Sequence, residues 1–275
     1  MNFSQLVASV TEELLSAGIE STSADAKELI CHHLSISKSE LSMLEVQGSE
    51  VASEDLSVIF ELAKKRASRI PLQHITGKSY FRNLELEVGP GVFVPRPETE
   101  MLVELAMQLT LPEKSCFEVG AGSGAISISL NQESGFEAQA IEVSEQAVSW
   151  TRKNIEKYGG QVNLVFGDFE SHIPNRQYGL LISNPPYIPD SAIPIDPEVN
   201  LHDPKQALYS GVDGLDLIRT LADSKHYLLP GGILIFEHDE SQRASIVEIL
   251  LEKEWRNIRS HKDLNGRDRF IQAEA

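Results

Sequence analysis

Asn184-Pro185-Pro186-Tyr187 sets a carboxamide, two rigid rings and a phenol in consecutive positions, directly after the apolar run Leu180-Leu181-Ile182. Asn184 and Pro185 each precede a proline, which drives both away from helical backbone geometry toward extended conformations. The Pro185 carbonyl therefore takes a nearly fixed direction, and the Asn184 side chain adds a second carbonyl. Two acceptors so fixed can hold the two hydrogens of a planar NH2 group while Tyr187 covers its flat face. An amide or aryl amine nitrogen is a poor nucleophile because its lone pair is delocalised. Gripping both N–H bonds aims that lone pair, and the acceptors bind more strongly as the nitrogen becomes positive in the transition state. The bland alternative is a proline turn that merely closes a strand.

A second cluster lies upstream. Gly120-Ala121-Gly122-Ser123-Gly124 follows the apolar stretch ending at Val119 and is preceded by Glu118. Glycines at alternate positions let the backbone turn tightly and approach a ligand before a helix presents its free N–H groups. The spacing departs from G-x-G-x-x-G, and the acid would repel a pyrophosphate while suiting an ammonium or sulfonium. Glu142 ends the next apolar run and can accept from both hydroxyls of a ribose. Asp168 and Phe169 follow the third run, where Asp168 can accept from an adenine amino group and Phe169 can pack on the ring. Singly, each is as well read as a loop acid or a core aromatic. Together they fit S-adenosylmethionine. Its sulfonium methyl is the electrophile at which the Asn184–Tyr187 corner would point a nitrogen, with in-line placement supplying a large share of the rate. No general base is required, because the methylated cation sheds its proton readily.

These residues need strand ends to carry them. The spacing predicts strands over 115–119, 138–143, 162–166, 180–183 and 232–237, with helices over 125–132, 145–157, 215–227 and 241–253. Such alternation indicates a mostly parallel sheet with helices on both faces and ligands beyond the carboxyl ends of its strands. The tail breaks the alternation: 258–262, a turn at Asn265-Gly266, then 269–273, which is a hairpin. Residues 1–75 read as helices, with Phe3, Leu6, Val7, Val10, Leu14 and Leu15 at helical spacing before Gly18. Ser23 is a candidate cap for a second helix over 24–34, followed by helices over 39–44 and 55–69. Between head and sheet, residues 76–95 read as a linking β-hairpin that turns at Gly89-Pro90-Gly91, and Pro95–Glu100 opens a helix running to Leu109.

Composition narrows the function classes. The chain has 275 residues, 41% hydrophobic and 24% charged, as soluble globular proteins do. Two cysteines far apart suit a reducing cytoplasm and argue against a disulfide framework or a zinc site. No stretch resembles a membrane span or a secretory signal. A net charge of −17 opposes a protein that tracks nucleic-acid phosphates. Lys64-Lys65-Arg66 with Arg69 is the one dense basic cluster, and it reads as the solvated end of a helix.

The whole pattern resembles class I S-adenosylmethionine-dependent methyltransferases of the NPPY type. More narrowly, it resembles the protein-(glutamine-N5) methyltransferases of peptide chain release factors, the HemK/PrmC family. The segments that carry this are Arg69–Gly77, Val94–Glu100, Gly120–Gly124, Asn184–Tyr187, Gly211–Asp216 and Asp263–Arg269. The resemblance implies a seven-stranded class I methyltransferase domain over 96–275 with a C-terminal β-hairpin, behind a substrate-docking helical domain over 1–75. It implies a monomeric cytoplasmic enzyme that methylates the Gly-Gly-Gln glutamine and so modulates translation termination. Asn184, Pro185, Pro186 and Tyr187 would hold that glutamine; Gly120, Ala121, Gly122, Ser123, Gly124, Glu142, Asp168, Phe169 and Asn184 would hold the cofactor; no metal is implied. Glu118 and Glu142 stand where the family commonly has aspartate, Phe169 where tryptophan is common, Asp203-Pro204 for Glu-Pro, and Asp239 where glycine is usual. Two other classes compete: a methyltransferase acting on an exocyclic amine of nucleic acid such as adenine N6, which the same corner would serve, and a non-catalytic binding protein on the same fold.

Overall fold

A computed structural model describes all 275 residues, which divide into two compact units. The first unit comprises Met1–Gly77 and Pro194–His202. It contains α1 (Phe3–Ser16), α2 (Thr22–Leu34), α3 (Lys38–Gln47), α4 (Ser53–Ala67) and α5 (Leu72–Thr76). Capping boxes start α1, from Asn2 to Gln5, and α3, from Ser37 to Glu40, each satisfying two otherwise orphaned N–H groups. The apolar stripe of α1 is buried against Ile30, Leu41, Ile59 and Ala63. Two expectations change here. Ser23 lies inside α2, which begins at Thr22, and Ser21 precedes it with its hydroxyl 2.7 Å from Asp25. The basic cluster divides: Lys64 and Lys65 are exposed in the last turn of α4, as expected, whereas Arg66 and Arg69 are engaged by the protein. Arg66 is 4% exposed, and it pairs with Asp25 and Glu198, each at 2.7 Å. Arg69 donates to the carbonyls of Ala17 and Gly18 at 2.9 and 2.7 Å. A cluster read from local sequence alone hides such distant acceptors.

The second unit spans Lys78–Ile193 and Asp203–Ala275. It opens with an antiparallel hairpin, β1 (Lys78–Phe81) and β2 (Leu84–Glu87). The expected hairpin over 76–95 is therefore corrected. Its turn falls at Arg82-Asn83, and residues 92–94 are not a strand. Arg82 takes the left-handed region at φ 50°, held by Glu100 on its backbone N–H and by Glu104 and Glu133 on its guanidinium. Arginine carries no turn signal of its own, whereas Gly89 and Gly91 do. Those glycines do turn the chain, with the Val92 N–H donating to the Gly89 carbonyl at 3.3 Å and Gly91 at φ 86°, but no returning strand follows; a Cβ there would also meet Trp150 at 2.4 Å and Gln146 at 2.3 Å. Phe81, Leu84, Leu86 and Val88 join the core of this unit, so the hairpin belongs to it.

α6 (Glu100–Gln108), preceded by a 3-10 turn over Pro97–Thr99, leads into β3 (Ser115–Val119), α7 (Ala125–Ser134), β4 (Glu137–Glu142), α8 (Glu145–Tyr158), β5 (Val162–Phe166) and β6 (Tyr178–Ser183). The chain then contributes 194–202, with α9 (Pro197–His202), to the first unit before returning. α10 (Asp216–Ala222), β7 (Leu228–Glu237), α11 (Arg243–Glu252), β8 (Arg256–Lys262) and β9 (Asp268–Glu274) complete the fold. The seven-stranded order is β5-β4-β3-β6-β7-β9-β8, parallel from β5 to β7, with β9 and β8 antiparallel. β3 and β6 are buried at every position, as central strands covered on both faces are. The order reverses between β4 and β6 around β3, so the switch point lies at the carboxyl ends of β3 and β6.

Candidate functional site

Both chemistry-bearing corners leave the sheet at that switch point. Val119 of β3 pairs with Ser183 of β6, and the Ser183 hydroxyl donates to the Val119 carbonyl at 2.7 Å. The strand ends are thus tied together before each turns away. After β3, Gly120, Gly122 and Gly124 have φ of 77°, 56° and 83°, a left-handed alternation that residues with a Cβ rarely adopt. A Cβ on Gly124 would meet Ile128 and Thr151 at 3.0 Å, whereas one on Gly120 or Gly122 would meet nothing within 4 Å. The first two glycines face open space, and the third seats the loop on α7 and α8.

Glu142, 8% exposed, holds this loop from the end of β4. Its Oε2 accepts the Gly122 N–H and its Oε1 the Ser144 N–H, both at 2.8 Å. Thr151 and Asn154 of α8 donate to the carbonyls of Gly122 and Ser123 at 2.7 and 2.9 Å. Glu118 is turned inward. It is 1% exposed, and its Oε2 accepts the N–H and the hydroxyl of Ser127 in the first turn of α7. Burial pushes its carboxyl up to about 8, so at neutral pH it is mostly protonated. It is a neutral cap inside the helix start and not the loop anion its position suggested. Asp168 lies exposed after β5, its Oδ1 taking the Glu170 N–H at 3.1 Å. Phe169 is 6% exposed, its ring 4.9 Å from Tyr227 and 6.1 Å from Phe117, within the aromatic core.

After β6 the peptide bonds of the proline corner are trans, and Pro185 is buried. Asn184 donates through Nδ2 to Thr99 Oγ1 at 3.0 Å, and its carbonyl oxygen accepts no bond from the protein and is not sealed off. No backbone N–H is directed at the Pro185 carbonyl either. Two acceptors therefore stand unclaimed on adjacent residues. Tyr187 is fixed at both ends. Its hydroxyl lies 3.3 Å from Glu237, and its carbonyl accepts Gln242 Nε2 at 2.8 Å. Gly214 passes so close that a Cβ would stand 2.2 Å from that carbonyl, which explains a glycine at φ 76° in the Gly211–Asp216 segment. Arg96 pairs with Asp203 at 2.7 Å and stacks 4.8 Å above Phe93. His238 is fully buried, with Nδ1 donating to the Asp239 carbonyl at 2.7 Å, and burial lowers its basicity. Thr99, Glu237, Gln242 and Gly214 are the site residues that sequence reasoning missed. Thr99 and Gly214 lay within segments already singled out, Val94–Glu100 and Gly211–Asp216, whereas Glu237 and Gln242 lay only in the strand expected over 232–237 and the helix expected over 241–253.

Residues 5–77 match the PrmC N-terminal domain family and residues 84–197 the methyltransferase small domain family. The release factor glutamine methyltransferase of Streptomyces coelicolor is 42% identical over 278 aligned residues, covering 97% of this chain and 96% of its own. The chain belongs to the release factor glutamine methyltransferase family. A member from Deinococcus radiodurans is 34% identical, covering 99% of this chain and 98% of its own, and one from Mycobacterium tuberculosis is 36% identical, covering 94% and 87%. Among solved structures, a methyltransferase from Pyrococcus furiosus superposes with a TM-score of 0.54 at 19% identity, over 70% of this chain and 89% of that one, a likeness of fold. The release factor glutamine methyltransferase family thus accounts for the whole chain, head and sheet alike, and makes it a methyltransferase. The match to the PrmC N-terminal domain ends at residue 77, where the first unit gives way to the second.

Proposed function

We propose that this chain transfers the methyl group of S-adenosylmethionine to the side-chain amide nitrogen, N5, of the glutamine in the Gly-Gly-Gln motif of peptide chain release factors. The observation that carries the reading is the pair of unclaimed carbonyl acceptors at Asn184 and Pro185, beside the glycine loop of β3. The full-length similarity to enzymes named for that activity supports it.

The residues present fit the cofactor. Gly120 and Gly122 leave room in front of the loop, and each Glu142 oxygen accepts one backbone N–H and keeps a further lone pair for a ribose hydroxyl. Gly120–Gly124, Glu142, Asp168, Phe169 and Asn184 would hold S-adenosylmethionine, with the exposed Asp168 carboxylate toward the adenine amino group. When bound, it supplies an electrophilic sulfonium methyl. The chain's own residues then do the positioning. Asn184 and Pro185 accept the two amide hydrogens, so that the lone pair lies across the NH2 plane. Tyr187 backs the plane and limits its rotation. As the nitrogen gains positive charge the same two carbonyls bind it more tightly, which lowers the barrier and not just the ground state. The proton is lost afterwards, and neither the buried Glu237 nor His238 need take it. The helices of the first unit would dock the body of the release factor. No helix is long and apolar enough to cross a membrane.

The test is transfer of labelled methyl from S-adenosylmethionine to a purified bacterial release factor, beside a variant whose loop glutamine is replaced. Label on the first and none on the second is expected. Equal label on both would move the acceptor elsewhere. No label on either, with cofactor binding intact, would send the search to nucleic-acid amines.

A further inference from the structure

β7 ends in a carboxyl group that the mechanism above leaves unused. Glu237 is 3% exposed and forms no ion pair. Its partners are hydroxyls: Thr99 Oγ1 lies 2.8 Å from Oε2 and the Tyr187 hydroxyl 3.3 Å from Oε1. A carboxylate only accepts, so both hydroxyls must donate to it. Thr99 has a single hydrogen. Having given it to Glu237, it can only accept from Asn184, and the atom 3.0 Å away is Asn184 Nδ2. The direction of this chain is therefore dictated from its buried end. Reversing the Asn184 amide would place a carbonyl against a Thr99 lone pair and present an NH2 group where the carbonyl now stands.

We infer that Glu237, acting through Thr99, is a positioning residue that sets the polarity of Asn184, so that the corner offers a carbonyl and never an amine to the incoming nitrogen. This rests on the reading of Asn184 as an acceptor for the substrate amide. A reversed Asn184 would oppose two donors and lose the clamp while leaving the fold, the glycine loop and Glu142 untouched. The bond from Tyr187 gives the same carboxylate a hold on the second wall of the corner.

The groups that face Glu237 are Thr99 and Glu98 of the turn before α6, Tyr187 of the corner and Arg269 of β9, with His238 and Asp239 next along the chain. Burial raises its carboxyl above the ordinary range; Thr99, Arg269 and Tyr187 oppose that rise, and Glu98 adds to it. Protonated Glu237 could donate to Thr99 and so release the direction of the chain. Turnover should then fall on the acid side as Glu237 gains its proton. Glu237→Gln can turn either its carbonyl or its NH2 toward Thr99, so it should keep only part of the turnover and lose that acid limb.

Thr99→Val and Thr99→Ser, compared in the full chain, test the inference. The isosteric valine removes only the hydroxyl. It should lower kcat on the release factor about tenfold or more while the dissociation constant for S-adenosylmethionine stays within about twofold, and serine should restore most of the loss. A release factor whose loop glutamine is changed to glutamate presents acceptors only, and it should compete better against Thr99→Val than against the parent enzyme. Independently of any substrate, one side-chain amide proton of Asn184 should be protected from exchange in the parent and Thr99→Ser proteins and unprotected in Thr99→Val. Unchanged turnover in Thr99→Val, or protection that survives the substitution, would overturn the polarity role. A parent enzyme that labels no release factor would sink the substrate reading, and Asn184 exchange would still decide for or against the Thr99 link.

Discussion

The glycine loop after β3 and the proline corner after β6 leave adjacent strand ends and are held still by opposite means. In the loop, three of the five positions lack a side chain and take left-handed backbone conformations. In the corner, two prolines restrict the backbone from within. Each has a buried glutamate behind it, Glu118 at 1% and Glu237 at 3% exposure. Glu118 is spent on Ser127 at the start of α7, while Glu237 reaches through hydroxyls to Asn184 and Tyr187. The same residue type on the two strands that flank β6 is thus a fold determinant in one place and an orienting group in the other. The difference lies in what the carboxyl bonds to, not in how deeply it is buried.

The largest separation between the two regions should come from Asn184→Ala. Turnover on the release factor should fall about 100- to 1,000-fold, the scale for removing one oriented group that binds developing charge. Cofactor affinity should fall only modestly, since Asn184 is one of several contacts. Rapid-quench turnover beside calorimetric cofactor titration checks both halves. Retained turnover would remove the amide clamp. Glu142→Ala should do the reverse, weakening cofactor binding about 10- to 100-fold, because it loses both the proposed ribose contacts and the bonds to Gly122 and Ser144. An unchanged dissociation constant would confine Glu142 to bracing the loop.

The two corners were legible in the sequence for a common reason: their chemistry is written in neighbouring residues. Gly120–Gly124 and Asn184–Tyr187 each carry their own backbone constraints, and the alternation of strands and helices places both at strand ends. What orients them was not legible. The hydrogen bond from Asn184 to Thr99 spans 85 residues and that from Thr99 to Glu237 spans 138, so no spacing rule connects them. Arg82 failed as a turn signal because its left-handed backbone is held by Glu100, Glu104 and Glu133, outside the hairpin. Glu118 misled in a similar way. An acid before a glycine loop suggests an anion facing the ligand, but the strand's alternation turns that side chain into the core.

Glycine substitutions sharpen the comparison at smaller cost. Gly214→Ala puts a Cβ 2.2 Å from the Tyr187 carbonyl and strains a φ of 76°, which should destabilise the protein by about 2 kcal/mol and lower turnover by shifting the corner. Gly122→Ala has nothing within 4 Å to meet, so its effect should appear as local strain at φ 56° and as weaker cofactor binding, in the space the cofactor is proposed to fill. Thermal denaturation with and without S-adenosylmethionine separates the two. Equal cofactor-induced stabilisation of Gly122→Ala and the parent would argue that the space before the loop is not used.

Glu118→Gln should have the smallest effect, and only on stability. The carboxyl titrates near 8 in the folded chain and near 4.5 in the unfolded one, so between those values the folded state holds a proton that the unfolded state has released. Its stabilising contribution is complete below about pH 4.5 and is lost as pH rises through about 8. Glutamine fills the same space with a carbonyl for Ser127 and carries no titration. Denaturant unfolding at pH 5.5 and pH 7.5 should therefore show the parent losing more stability over that interval than Glu118→Gln, by on the order of 1–2 kcal/mol. Turnover at fixed pH should hardly differ. Because Glu237 has a different task, the corresponding Glu237→Gln change should move the pH profile of turnover as well. If both substitutions shifted stability alone, the two carboxyls would be structural equivalents, and the polarity assigned to the proline corner would have to come from some other group.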